Sequence, residues 1–362
     1  MPRILTSLAL AVALTALAGA AAAAAKVGER HLETTNPTAA LRDAQHRDTV
    51  RVTVWYPAAA DAKEERIDLG PPGKPMFIVD QVAQNAAFAD TKARPVILFS
   101  HGFGGTARMM AWFGAPLARA GYVVVAVDHP GNNGMDKMTT PGAIMSWTRA
   151  GDLKAALAAA KADPAIGPHM DLARVGAAGF SAGGFTSLVA AGAKVDMNRF
   201  LAFCKGHPTD GVCAPQKEYP LSMDDAQKAM ASAELAPEAA RAGDDHRIPE
   251  VKAAFAIAPA IVQGLPPEGL AKIKVPVAIF LGDADPVAPP ATNGLVAAKA
   301  IPHAQLITLP GVKHYDFLST CTPAGQAVVE ICKNELPQDP THKAALDAAL
   351  AFFGKTLGKP PA

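Results

Sequence analysis

The sequence carries almost no net charge: 34 basic side chains meet 33 acidic ones, leaving +1 over 362 residues. That balance gives no excess of positive charge to advertise a nucleic-acid or acidic-membrane partner, and none is expected. Beyond the first two dozen residues there is no apolar run long enough to span a bilayer, so no stable membrane insertion is expected of the remaining chain. No internal repeat recurs, which removes repeat architectures. The four cysteines lack Cys-x-x-Cys spacing and have no histidine pair beside them, so a zinc knuckle has no ligand set. No metal or cofactor is expected.

What is present begins with MPRILTSLALAVALTALAGAAAAAAK, one basic residue ahead of an apolar core from Ile4 to about Leu17 and a run of alanines. The pattern is that of a secretory signal peptide over residues 1–25, with small-residue cleavage choices between Ala20 and Ala25. A retained anchor is the rival reading, disfavoured by the shortness of the strongly apolar part. The expected location is periplasmic or secreted. In that compartment the close pairs Cys204 with Cys213 and Cys321 with Cys332 point to two small disulfide loops.

Half of all residues are hydrophobic, enough for one large domain over 26–362. RVTVWYP at Arg51 to Pro57 alternates before a proline and reads as a strand at a sheet edge. Residues 58–93 have no clear period and read as loops around a short element. Continuous apolar runs then mark strands buried on both faces: RPVILFS from Arg94, GYVVVAV from Gly121 and the run Val175 to Phe180. Helical spacing at Thr106 to Ala120 and Asp152 to Ala162 separates them. The alternation implies an α/β fold with a mostly parallel central sheet and helices on both faces. Residues 192–249 break the rhythm with a helical stretch at Met223 to Arg241, and read as a cap or lid insertion, with a plain surface excursion as the alternative. Strands resume at Val251 to Ala258, Val275 to Leu281 and Gln305 to Leu309, with helices near Thr292 to Ala300 and Thr341 to Leu357.

RVGAAGFSAGGFTSLVA, Arg174 to Ala190, is the stretch that carries chemistry. Gly179-Phe180-Ser181-Ala182-Gly183 is a Gly-x-Ser-x-Gly elbow between strand and helix, where a sharp turn exposes the serine hydroxyl at a helix N-terminus. A serine nucleophile needs a base, and the base an orienting acid. Both follow in order on loops at strand ends: Asp285 after the strand ending at Leu281, and His314 after the strand ending at Leu309. Asp283 shares the first loop and reads as a turn-fixing residue. His303 precedes its strand and His342 belongs to the last helix, so neither should reach Ser181. His101-Gly102-Phe103-Gly104-Gly105 follows the first buried strand. It offers the Phe103 N–H, beside that of Ala182, as an oxyanion hole. His101 reads as a structural hydrogen-bonder beneath that loop, Asp128 as a loop-fixing acid and His129 as a candidate pocket-lining residue.

Taken together, VWYP, FSHGFGG, VVAVDHPG, RVGAAGFSAGG, GDADPVAP and the HYDF loop resemble the α/β-hydrolase superfamily. Within it the chain is similar to the bacterial predicted dienelactone hydrolases, relatives of platelet-activating factor acetylhydrolase and secreted polyester hydrolases. The motifs run from about Arg51 to His314. The resemblance implies the α/β-hydrolase fold, Ser181 as nucleophile, Asp285 as acid, His314 as base and Phe103 as oxyanion donor. There are departures. Dienelactone hydrolases proper use cysteine where this chain has Ser181, and the acetylhydrolase acid follows the strand after the elbow, where this chain reads Ala256-Ile257-Ala258-Pro259. Polyester hydrolases carry Trp where Phe180 stands. The expectation is a serine hydrolase acting on a small-molecule carboxylic ester. A peptidase of the same fold and a catalytically silent binding protein are the alternatives.

Overall fold

The computed structural model describes residues 25–333 and 336–361. The proposed signal peptide therefore lies, but for Ala25, outside the described residues. Among them, eleven strands form one sheet. Its parallel part grows from β5 (Arg94–Ser100), β6 (Val123–Asp128), β7 (Met170–Phe180), β8 (Val251–Ile257), β9 (Val277–Gly282) and β10 (Gln305–Leu309), ordered β10-β9-β8-β7-β5-β6. Each of these pairs is parallel. The order reverses at β5, whose neighbours are β6 on one side and β7 on the other, so a crevice opens at the C-terminal ends of β5 and β7.

The remaining strands extend the other edge. β1 (Lys26–Thr35), β2 (Thr49–Ala58), β3 (Glu65–Leu69), β4 (Phe77–Gln84) and β11 (Thr320–Cys321) continue the order as β6-β2-β1-β4-β11, with β3 on β4. Two expectations fail here. Residues 58–93 hold two strands, and the RVTVWYP strand is interior, antiparallel to both β6 and β1. Pro57 is tolerated because it sits at the strand's end, where its carbonyl still accepts the Ala89 N–H.

Alternation along the buried strands sorts side chains between two cores. Ile97 and Phe99 of β5 meet the helices Ala111–Arg119 and Gln338–Thr356 on one face. Val96 and Leu98 meet the helix Arg149–Ala162 on the other. The insertion folds as helices Met197–Gly206, Met223–Met230 and Ala236–Ala239, the anticipated Met223 to Arg241 helix being broken between Met230 and Ala236. It shares a core with the sheet: Phe200, Val212 and Ala226 join Phe185, Ala256 and Ile279. Disulfides link Cys204 to Cys213 and Cys321 to Cys332. No helix of the described residues is long and apolar enough to cross a membrane.

Candidate functional site

β7 ends at Phe180 and the helix Ala182–Ala190 starts two residues later, leaving Ser181 alone to turn the chain at φ 57°, ψ −118°. Such a conformation costs a non-glycine residue about 1–3 kcal/mol and persists only where its surroundings over-determine it. Here the Ser181 N–H donates to Ile257 O on β8, and its carbonyl accepts the Phe185 and Ala260 N–H groups. The glycines serve close approach: a Cβ on Gly179 would run into the Gly183 carbonyl, and one on Gly183 into the Ser100 carbonyl.

The Ser181 hydroxyl lies 2.9 Å from His314 Nε2, and His314 Nδ1 lies 2.6 Å from Asp285 Oδ2. His314 opens a short 3-10 turn, His314–Phe317, after β10, and Phe180 packs its ring 4.8 Å from the imidazole. Asp285 Oδ1 accepts the Val287 and Ala288 N–H groups at 2.8 Å each, leaving Oδ2 to the imidazole. Burial would raise the Asp285 carboxyl, but His314 and these two N–H groups outweigh it and hold it below the usual carboxylate range. An ionised Asp285 fixes the imidazole with its proton on Nδ1, so Nε2 faces Ser181 as an acceptor. Asp283 Oδ1 instead accepts the Gly311 N–H, tying the Asp285 loop to the His314 loop. His303 is exposed at the far end of β10, and His342 stacks on Trp112 with Nε2 2.7 Å from Leu318 O.

The Phe103 and Ala182 N–H groups have no partner among the described residues, and both residues border the cavity that reaches Ser181. A set of buried groups sits behind Phe103: His101, which the sequence places there as a structural hydrogen-bonder, and Arg149, which sequence reasoning passed over. The Arg149 guanidinium, shut away from water, donates from Nη2 to the carbonyls of His101 at 2.8 Å and Gly102 at 3.3 Å. His101 Nδ1 also meets Gly102 O, while its Nε2 accepts the His129 N–H. Because the Gly102 carbonyl and the Phe103 N–H belong to one planar trans peptide, holding the first aims the second. Burial, then Arg149, pushes the His101 imidazole well below its usual range, so it stays neutral.

His129 does not line the cavity as expected; it is fully buried, with Nε2 2.8 Å from Ser100 Oγ and Nδ1 2.9 Å from Asp152. Asp152 in turn takes a two-pronged bond from Arg42 and another from Asn36. Ser100, His129 and Asp152 thus repeat the Ser–His–Asp hydrogen-bond order while fully buried, and they brace the end of β5. Asp128, as expected, fixes a loop by accepting the Ala107 N–H. The signal that could have found Arg149 and Arg42 was their charge beside apolar, alanine-rich segments, where a solvated face was the simpler reading.

Ser181 stands between two cavities. One, with about 800 Å³ of empty space that includes its opening to solvent, runs beneath the insertion and is walled by Ile144, Met197, Phe200, Met223 and Met230 among others, with no charged side chain. The other, of about 560 Å³, is bordered by His314, Tyr315, Glu218 and the Gly102 to Gly105 loop. Two hydrogen bonds fasten the insertion across the crevice: Tyr219 to Thr140 at 2.9 Å, and Tyr315 to Glu218 at 3.1 Å.

A reversing parallel sheet with a serine elbow at the switch point defines the α/β-hydrolase fold. The chain belongs to the alpha/beta hydrolase family, whose model matches residues 97–330. It is similar to a solved ferulic acid esterase from Streptomyces cinnamoneus, with a TM-score of 0.60 and 19% identity over 95% of this chain and 94% of that one. No curated protein matches the sequence.

Proposed function

We propose that this is an exported serine hydrolase that cleaves a carboxylic ester through an acyl-enzyme. Ser181 Oγ attacks the carbonyl carbon as His314 Nε2 takes its proton, and Asp285 stabilises the imidazolium that forms. The Phe103 and Ala182 N–H groups receive the charge that develops on the carbonyl oxygen. His314 returns the proton to the leaving alcohol, and water, activated by the same imidazole, releases the acid. Residues 192–249 act as the cap that governs access to Ser181, and residues 1–25 direct export.

The observation that carries this reading is the unbroken Asp285–His314–Ser181 hydrogen-bond chain ending at a hydroxyl that borders an apolar cavity. The likeness to a ferulic acid esterase and the resemblance of the FSHGFGG and GDADPVAP motifs to the dienelactone hydrolase group support an ester as the substrate. Turnover of p-nitrophenyl acetate tests it. Ser181→Ala should lower kcat at least about 10⁴-fold and Asp285→Asn about 10⁴-fold. Asp283→Asn, which weakens only a loop tie, should cost less than about tenfold. The reverse order for the two aspartates would move the acid to Asp283.

A further inference from the structure

We infer that the two cavities divide the ester between them: the cavity beneath the insertion takes an uncharged hydrocarbon acyl chain, and the one beside His314 takes the alcohol. This rests on the esterase reading above. His314 Nε2 must reach first the Ser181 hydroxyl and then the leaving oxygen, so the alcohol has to depart on the face that presents the imidazole. His314 borders the smaller cavity and is absent from the wall of the larger one. With the oxyanion directed at Phe103 and Ala182, the acyl substituent is left the remaining direction, into the larger cavity.

The wall of that cavity names the acyl class. It has aliphatic, methionine and aromatic side chains, and its polar groups are neutral; Tyr219 is already bonded to Thr140. A carboxylate or ammonium on the acyl chain would be desolvated there without a partner. The methionines Met197, Met223 and Met230 adapt to chains of differing shape. The cavity wall reaches from Ser181 to Met223 and Met230 on the helix Met223–Met230, residues that an acetyl group alone would leave without contact. The disulfide Cys204–Cys213 ties together the two segments that build one wall, Met197 to Leu201 and Val212 to Ala214.

The test compares two ratios of kcat/KM: p-nitrophenyl hexanoate over acetate, and hexyl acetate over methyl acetate. In the wild type each methylene added to the acyl chain should raise kcat/KM about fourfold. Ala226→Phe fills the acyl cavity from the helix Met223–Met230, and Ala143→Phe fills it from a less buried position should the first variant fail to fold. Either should lower the acyl ratio at least tenfold and leave the alcohol ratio within about twofold. An unchanged acyl ratio in a folded variant, or a shift in the alcohol ratio instead, would overturn the assignment. Loss of all turnover in the wild type, with no fluorophosphonate adduct on Ser181, would mark failure of the esterase reading itself and take this inference with it.

Discussion

A guanidinium sealed inside the protein is expensive, and Arg149 is sealed with two of its nitrogens, Nε and Nη1, unpaired among the described residues. Its pKa is pushed down to about 9, by burial first. What the residue supplies in return is the direction of the Gly102–Phe103 peptide. Arg149→Met should therefore lower kcat about ten- to a hundredfold with KM nearly unchanged, as a misaimed oxyanion donor would; steady-state kinetics on a short-chain ester read this out, and an unaltered kcat would separate Arg149 from the reaction. His101 and His129 give a second prediction. Burial holds both below their usual pKa, His129 at about 3, so the folded protein keeps them neutral while the unfolded chain protonates them near pH 6.5. Stability should fall as pH drops below about 6.5; His129 alone contributes a loss of about 1.4 kcal/mol per pH unit towards pH 3, and His101 adds to the fall in the same direction. Urea midpoints at stepped pH values measure it, and His129→Asn should flatten the slope.

The strand-to-helix elbow makes its demand on glycine through space and not through φ. Gly183→Ala must push the new helix away from the Ser100 carbonyl, and Gly179→Ala must part the elbow from Gly183. Each should lower both melting temperature and esterase activity, measured by thermal denaturation and p-nitrophenyl acetate turnover; an alanine accepted without loss at either position would contradict the packing described. The elements around this elbow were legible because their residues are buried on both faces and so read as unbroken apolar runs. Arg94 to Ser100, buried throughout, falls where the sequence puts it; Gln305 to Leu309 does so too, although that outer strand of the sheet is half exposed. The antiparallel margin was not. β1 carries Glu29, Arg30, His31 and Glu33, and its buried Glu29 carboxylate is held by Trp55, Gln84 and Arg108, a tertiary arrangement that leaves no apolar period to read. With β1 unseen, β2 could only be taken for an edge. The order of Ser181, Asp285 and His314 on three strand ends was legible from loop position alone, whereas Arg149 and Asp152 meet the site only through the fold.

At the scale of the whole molecule, the insertion shares its apolar core with the sheet among the described residues, so the two are expected to unfold together. Calorimetry should give a single transition, and a separate low-temperature step would mean the insertion folds on its own. The two disulfides close loops of 9 and 11 residues in sequence separation and should each contribute about 2–3 kcal/mol through the unfolded chain. Adding a reductant at the start of unfolding should lower the melting temperature, and four thiols titrating in the untreated folded protein would contradict the pairing. All of these features converge on one hydroxyl. The most direct measurement is fluorophosphonate labelling with peptide mapping. A single adduct on Ser181, forming in step with loss of ester hydrolysis and absent in His314→Ala, is the predicted result. No adduct, or one on another residue while Ser181 stays free, would contradict the proposal that Ser181 is the nucleophile.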